Sequence, residues 1–115
     1  MAVVRKEDGS VVCERCLVAD SPWLRMKGLL GRRELPDGEG ILLRPCASIH
    51  MFFMRFAIDA VFLDRDLQVV RVAPNLKPWH MASKRRAKMV LELPGGACER
   101  EGIREGDRLS VEGMR

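Results

Sequence analysis

Residues 49–72 read IHMFFMRFAIDAVFLDRDLQVVRV. Ile49 to Leu63 is the most apolar stretch of the chain, broken only by His50, Arg55 and Asp59. The polar triplet Asp64-Arg65-Asp66 then separates it from Leu67 to Val72, where apolar residues resume. Two apolar runs about a short polar turn predict a β-hairpin. Further strands are expected on either side, at Val11–Val18, Ile41–Leu43, Lys88–Leu93 and Arg108–Glu112. Turn residues punctuate them: Asp8-Gly9, the loop Pro36 to Gly40, Pro74-Asn75, Lys77-Pro78, Pro94-Gly95-Gly96 and Gly106-Asp107.

One helix interrupts this pattern. Asp20-Ser21-Pro22 supplies a capping side chain followed by a proline at the first helical position. Trp23, Met26, Leu29 and Leu30 recur at helical spacing, and Gly31 offers a stop. The spacing predicts about three turns, with the apolar stripe packed on the core. Residues 1–115 therefore read as a single domain. Its fold class is mainly β, a barrel or sandwich of about six or seven short strands with one short α-helix.

Composition agrees with one folded domain. Of 115 residues, 47% are hydrophobic and 31% charged, enough for a real core without a disulfide framework. No apolar run approaches the roughly 20 residues of a membrane-crossing helix. The first residues lack the apolar stretch of a secretory leader, so a cytoplasmic protein is expected. The net charge of +4 comes largely from two clusters, Arg25, Lys27, Arg32 and Arg33, and then Lys84, Arg85, Arg86 and Lys88. Such clusters attract phosphates, but aromatics are only 5% of the chain, there is no Tyr, and all four Phe fall within the apolar stretch. Nucleic acid is disfavoured as a partner, and the clusters read as solvated surface.

Four cysteines invite chemistry. Cys13-x-x-Cys16 lies in a strand-like run without Gly or Pro, where residues three apart point to opposite faces. That argues against a zinc knuckle and for structural thiols, so no metal or cofactor is expected. Cys46 and His50 suggest a thiolate–imidazole pair, which needs a turn between them. The stronger constellation is His50, Arg55 and Asp59, ionisable groups in so apolar a stretch that they must be paired or open to a cleft. Glu92, between Leu91 and Leu93, is the same kind of anomaly. It either answers Arg55 or Arg71 or points outward from a half-exposed strand.

Four blocks carry a family resemblance. They are Arg25-x-Lys27-Gly28-Leu29-Leu30-Gly31-Arg32, the run Ile49 to Asp64, Val90-Leu91-Glu92-Leu93-Pro94-Gly95-Gly96, and Gly102-Ile103-x-x-Gly106-Asp107. In that order, from about Val12 to Leu109, the chain resembles the DUF192 family. The resemblance implies a small, mainly β, bacterial-type domain and brings no established activity with it. The family pattern of Met-Arg or Met-Lys and a following Asp corresponds here to Met54, Arg55 and Asp59. Ala57 stands where relatives often have Pro, and Met51 where they commonly have Thr.

The function expected from all of this is a non-enzymatic binding domain. Its polar cleft, lined by His50, Arg55, Asp59 and Glu92, would take a small polar molecule or an extended chain segment. The alternatives are a small enzyme using His50 as acid or base with Cys46 or Asp59, and a weak nucleic-acid-binding module using the basic clusters.

Overall fold

The computed structural model of the protein describes residues 1–113. In chain order its elements are β1 (Ala2–Lys6), β2 (Val11–Ala19), α1 (Pro22–Lys27), β3 (Glu39–Leu43), β4 (Ser48–His50), β5 (Ile58–Leu63), β6 (Val69–Leu76), β7 (Met81–Ser83), β8 (Met89–Pro94), α2 (Ala97–Glu101) and β9 (Leu109–Glu112). The expected hairpin is β5 and β6, antiparallel, with Val61 opposite Val72. Asp64 organises its turn: one carboxylate oxygen accepts from the N–H of Asp66 at 2.9 Å and of Gln68 at 3.0 Å. This is the local hydrogen bonding for which Asp favours turns.

Seven strands form one sheet in the order β6-β5-β8-β3-β2-β1-β9, while β4 and β7 form a separate pair. Only β2 and β3 run parallel. A parallel pair needs a crossover, and α1 with its loop supplies it. The two edges of the sheet meet: the Val69 N–H donates to Asp107 O at 2.7 Å, and the Leu109 N–H to Leu67 O at 2.9 Å. The sheet therefore curls round on itself, and the fold is mainly β, as expected.

Alternation along the central strands sorts the core into two layers. From β5, Val61 and Leu63 join Leu42, Leu91, Leu93 and Leu109 inside the curl. Ile58, Ala60 and Phe62 face the other way, packing with Ile41, Leu43 and Val90 against Ile49 and Met51. The β4–β7 pair thus covers the outer face of β3, β5 and β8, and β5 is buried along its whole length. Gly40 lets β3 approach β8 closely, since a Cβ there would lie 2.8 Å from Glu92 O.

Three local expectations need correction. The helix is shorter than the expected three turns: α1 ends at Lys27, closed by Gly28 at φ 46, although its start is as expected, with Ser21 capping it by accepting from the Leu24 N–H at 3.2 Å ahead of Pro22. None of its residues is fully buried, and of the predicted stripe only Leu29, just past the helix, joins the core, while Trp23, Met26 and Leu30 are exposed. Helical spacing reports which residues share a face, not whether anything covers it. Next, Cys13 and Cys16 both point into the core, because Glu14 and Arg15 are exposed together and the β1–β2 register slips between Val4–Cys13 and Ala2–Cys16. The extra residue of a bulge resets the alternation. Finally, the single expected helix is joined by a second, α2, a five-residue turn following Pro94-Gly95-Gly96.

Candidate functional site

A cleft of about 470 Å³ opens where α1 and the turn after it face β4 and the segment 51–54. Leu29 and Leu30 line one wall and Ile49, Met51 and Phe52 the other, so the cleft is predominantly apolar. Glu92 stands among its lining residues, contributed by β8 from beneath. Val90 on the same strand joins the outer core layer, and alternation turns Glu92 the same way. Glu92 is 6% exposed, and no cation of the described residues lies within ion-pair distance of it. Its carboxyl also has no hydrogen bond among the described residues, whereas every fully sealed polar side-chain atom there has a partner. The carboxyl therefore reaches the open space of the cleft. Burial pushes it up to about 7, far from the ordinary carboxylate range.

Two other polar groups share the cleft. His50, at the end of β4, is exposed and stacks on Phe52 with ring centroids 4.5 Å apart. Cys46 donates its thiol to Ser48 O at 3.1 Å. Burial pushes that thiol up, and the nearby Glu92 adds to the effect, which is the wrong direction for a thiolate nucleophile. Arg25 and Lys27 stand at the mouth, with the Arg25 guanidinium donating to the carbonyls of Asp20 and Arg44.

The rim is unusual in its apolar exposure. Met26, Leu30, Phe53, Trp79 and Met81 are all exposed large hydrophobics. Met26, Leu30 and Phe53 line the cleft itself. Trp79 touches Phe53 at 4.8 Å between centroids and Phe52 at 5.8 Å, while Met81 sits opposite His50 in the β4–β7 pair. Phe53 and Trp79 hold φ of 65° and 70°, the left-handed region that costs a bulky side chain about 1–2 kcal/mol. Strain of this kind gathers at binding sites. An exposed apolar patch around a concavity marks an interaction site. The spacing of Met26 and Leu30 is visible in the sequence, but reading apolar as buried assigns these residues to the core and misses the rim.

The structure divides the predicted constellation. His50 and Glu92 meet at the cleft; Arg55 and Asp59 are not among its lining residues. Arg55 is exposed on the segment leading into β5. Asp59 is 1% exposed, and its carboxylate accepts from the backbone N–H groups of Asn75 at 2.9 Å, Gly96 at 3.1 Å and Cys98 at 2.9 Å. It ties β5 to β6 and to the start of α2. The buried Cys98 thiol beside it is pushed up to about 12, by burial first and then by Asp59. Cys16 is likewise pushed up, by its hydrogen bonding with Cys13 and by burial. Among the described residues no group of three or more His, Cys, Asp or Glu is placed to hold a metal. The second basic cluster lines two further concavities of about 560 and 550 Å³, one with Lys84, Arg85 and Arg86, the other with Lys88, Arg44 and Arg65. No described helix is long and apolar enough to cross a membrane.

Comparison with known proteins fits this fold. The DUF192 family model, described as "Uncharacterized ACR", matches residues 3–111. A UPF0127 protein of Thermococcus sibiricus is 32% identical over 115 residues, covering 96% of this chain and 74% of its own length. A UPF0127 protein of Pyrococcus horikoshii is 44% identical over 98 residues, 80% of this chain and 83% of its own. A crystal structure of a protein of unknown function from Novosphingobium aromaticivorans matches with a TM-score of 0.82 at 29% identity, covering 95% of this chain and 82% of that one. The Thermococcus and Pyrococcus relatives are archaeal, so the expectation of a bacterial-type domain is not supported.

Proposed function

This chain belongs to the DUF192 family, and on that premise, which brings no activity with it, we propose that it is a non-enzymatic binding domain. The ligand is a small polar molecule or an extended chain segment, held in the cleft between α1 and β4 with Glu92 and His50 as polar contacts. One observation carries the reading: a buried carboxyl with no partner among the described residues opens into an apolar cleft whose lining includes the exposed Met26, Leu30 and Phe53. A pocket with apolar walls and one or two polar groups is the ordinary form of a ligand site. An unpaired buried carboxyl destabilises the free protein, and a ligand that supplies its partner recovers that cost.

Within this reading Asp59 holds the frame behind the site, and Arg55 is available to a ligand that extends past Met54. The enzymatic alternative is weaker because Cys46 is held as a thiol. The test is an NMR titration of the whole chain with organic cations, sugars, nucleotides and short peptides. The expected result is amide shifts confined to residues 25–30 and 48–54, lost when His50→Ala and Glu92→Gln are combined. Ligands that shift only residues 84–88 would overturn the proposal in favour of an anion-binding surface.

A further inference from the structure

The open edge of β4 says more about the ligand. In the β4–β7 pair Ile49 lies opposite Ala82, and the flanking bonds run from the Met51 N–H to His80 O at 2.8 Å and from the Lys84 N–H to Ala47 O at 2.9 Å. Along an antiparallel strand successive residues turn their backbone groups to opposite edges. Residues 47, 49 and 51 serve β7, so Ser48 and His50 present theirs to the other edge. There the Ser48 carbonyl meets the Cys46 thiol, and the His50 N–H and C=O have no backbone partner among the described residues. Both residues line the cleft.

We infer that the occupant of this cleft is an extended peptide segment carrying a lysine or arginine side chain, added as a strand along the open edge of β4 with its cation on Glu92. The inference rests on the proposed binding role of the cleft and goes on to name the ligand's chemistry. Two demands select it. The β4 edge needs alternating backbone donors and acceptors, which an extended peptide supplies and a small organic molecule does not. The carboxyl of Glu92 needs a cation or a strong donor, because it has neither among the described residues. Side chains alternate along a strand, so a residue reaching Glu92 has neighbours turned to the rim, where Phe53, Met26 and Trp79 receive apolar groups. Arg25 and Lys27 at the mouth repel a polybasic segment and limit the ligand to one inserted cation.

Three acetylated, amidated heptapeptides of alternating valine and threonine test this, with lysine, norleucine or glutamate at the centre. Each is titrated against the whole chain by NMR, followed by hydrogen exchange, with butylammonium as a separate probe. The lysine peptide is expected to bind at least about tenfold more tightly than the norleucine peptide, and the glutamate peptide most weakly. It is also expected to slow exchange of the His50 amide. Glu92→Gln should erase the lysine preference while leaving the spectrum of the free fold intact. Equal affinity for the lysine and norleucine peptides, or binding without protection at His50, overturns the inference. Butylammonium binding in the cleft without any peptide binding overturns strand addition and leaves the cleft reading standing. Absence of cleft shifts with every probe overturns both.

Discussion

Replacing Glu92 by Gln is expected to stabilise the free protein above neutral pH and to leave it nearly unchanged in mild acid. The carboxyl is nearly as large as the amide, so the substitution changes charge with little change of shape. Burial raises its folded-state pKa to about 7 from an ordinary 4.5. Each tenfold gain in proton affinity on folding is worth about 1.4 kcal/mol, so full ionisation in the folded state costs about 3 kcal/mol. A raised carboxyl pKa means that the folded state holds the proton more tightly than the unfolded state. The contribution is therefore favourable below about pH 4.5, declines as pH rises, and is gone once pH has passed about 7. Other carboxylates titrate in the same range, and the difference between Glu92→Gln and the parent removes them. Urea unfolding at about pH 4 and about pH 8 reads that difference, with near equality at the lower pH and a gain of about 3 kcal/mol at the higher. This is a large share of the roughly 5–15 kcal/mol typical of a domain. A difference of the same size at both pH values would show that Glu92 is paired or solvated, and the argument for an unpartnered carboxyl in the cleft would fail.

Asp59→Ala strips three backbone N–H groups, that of Cys98 buried, of an anionic acceptor, and urea unfolding should show a loss of about 3–5 kcal/mol; a loss under about 1 kcal/mol would refute its framing role. Phe53→Gly relieves left-handed strain at φ 65, so thermal unfolding should shift little or upward while cleft ligands bind more weakly. A marked fall in melting temperature would instead make Phe53 part of the core. Cys46, held as a thiol by burial and by Glu92, should alkylate more slowly than a free cysteine at neutral pH, and faster in Glu92→Gln. Reaction faster than a free thiol would revive the catalytic alternative.

What the chain announces is local. Turn chemistry at Asp64, the Ser21-Pro22 helix start and the apolar run of β5 depend on neighbours a few residues away, and each forms where those neighbours dictate. Sequence and structure part where a distant element decides the outcome. Whether Trp23 and Met26 are covered depends on which face of α1 meets the core, and it is Leu24 that packs there while these two stay exposed. Whether Cys13 and Cys16 share a face depends on how β1 aligns with β2.

Asp59 and Glu92 make the contrast plainest. Each is a carboxylate flanked by apolar residues in a strand, and the sequence establishes for both that such a group needs a partner or a cleft. It cannot choose between those outcomes. Asp59 finds its donors 16, 37 and 39 residues away, where β6 and the start of α2 turn their N–H groups toward it. Glu92 faces the other core layer, where β4 and α1 stop short of closing over it and leave its oxygens open. The need for a partner is a property of the ionised group; its supply is a property of the elements the fold brings alongside.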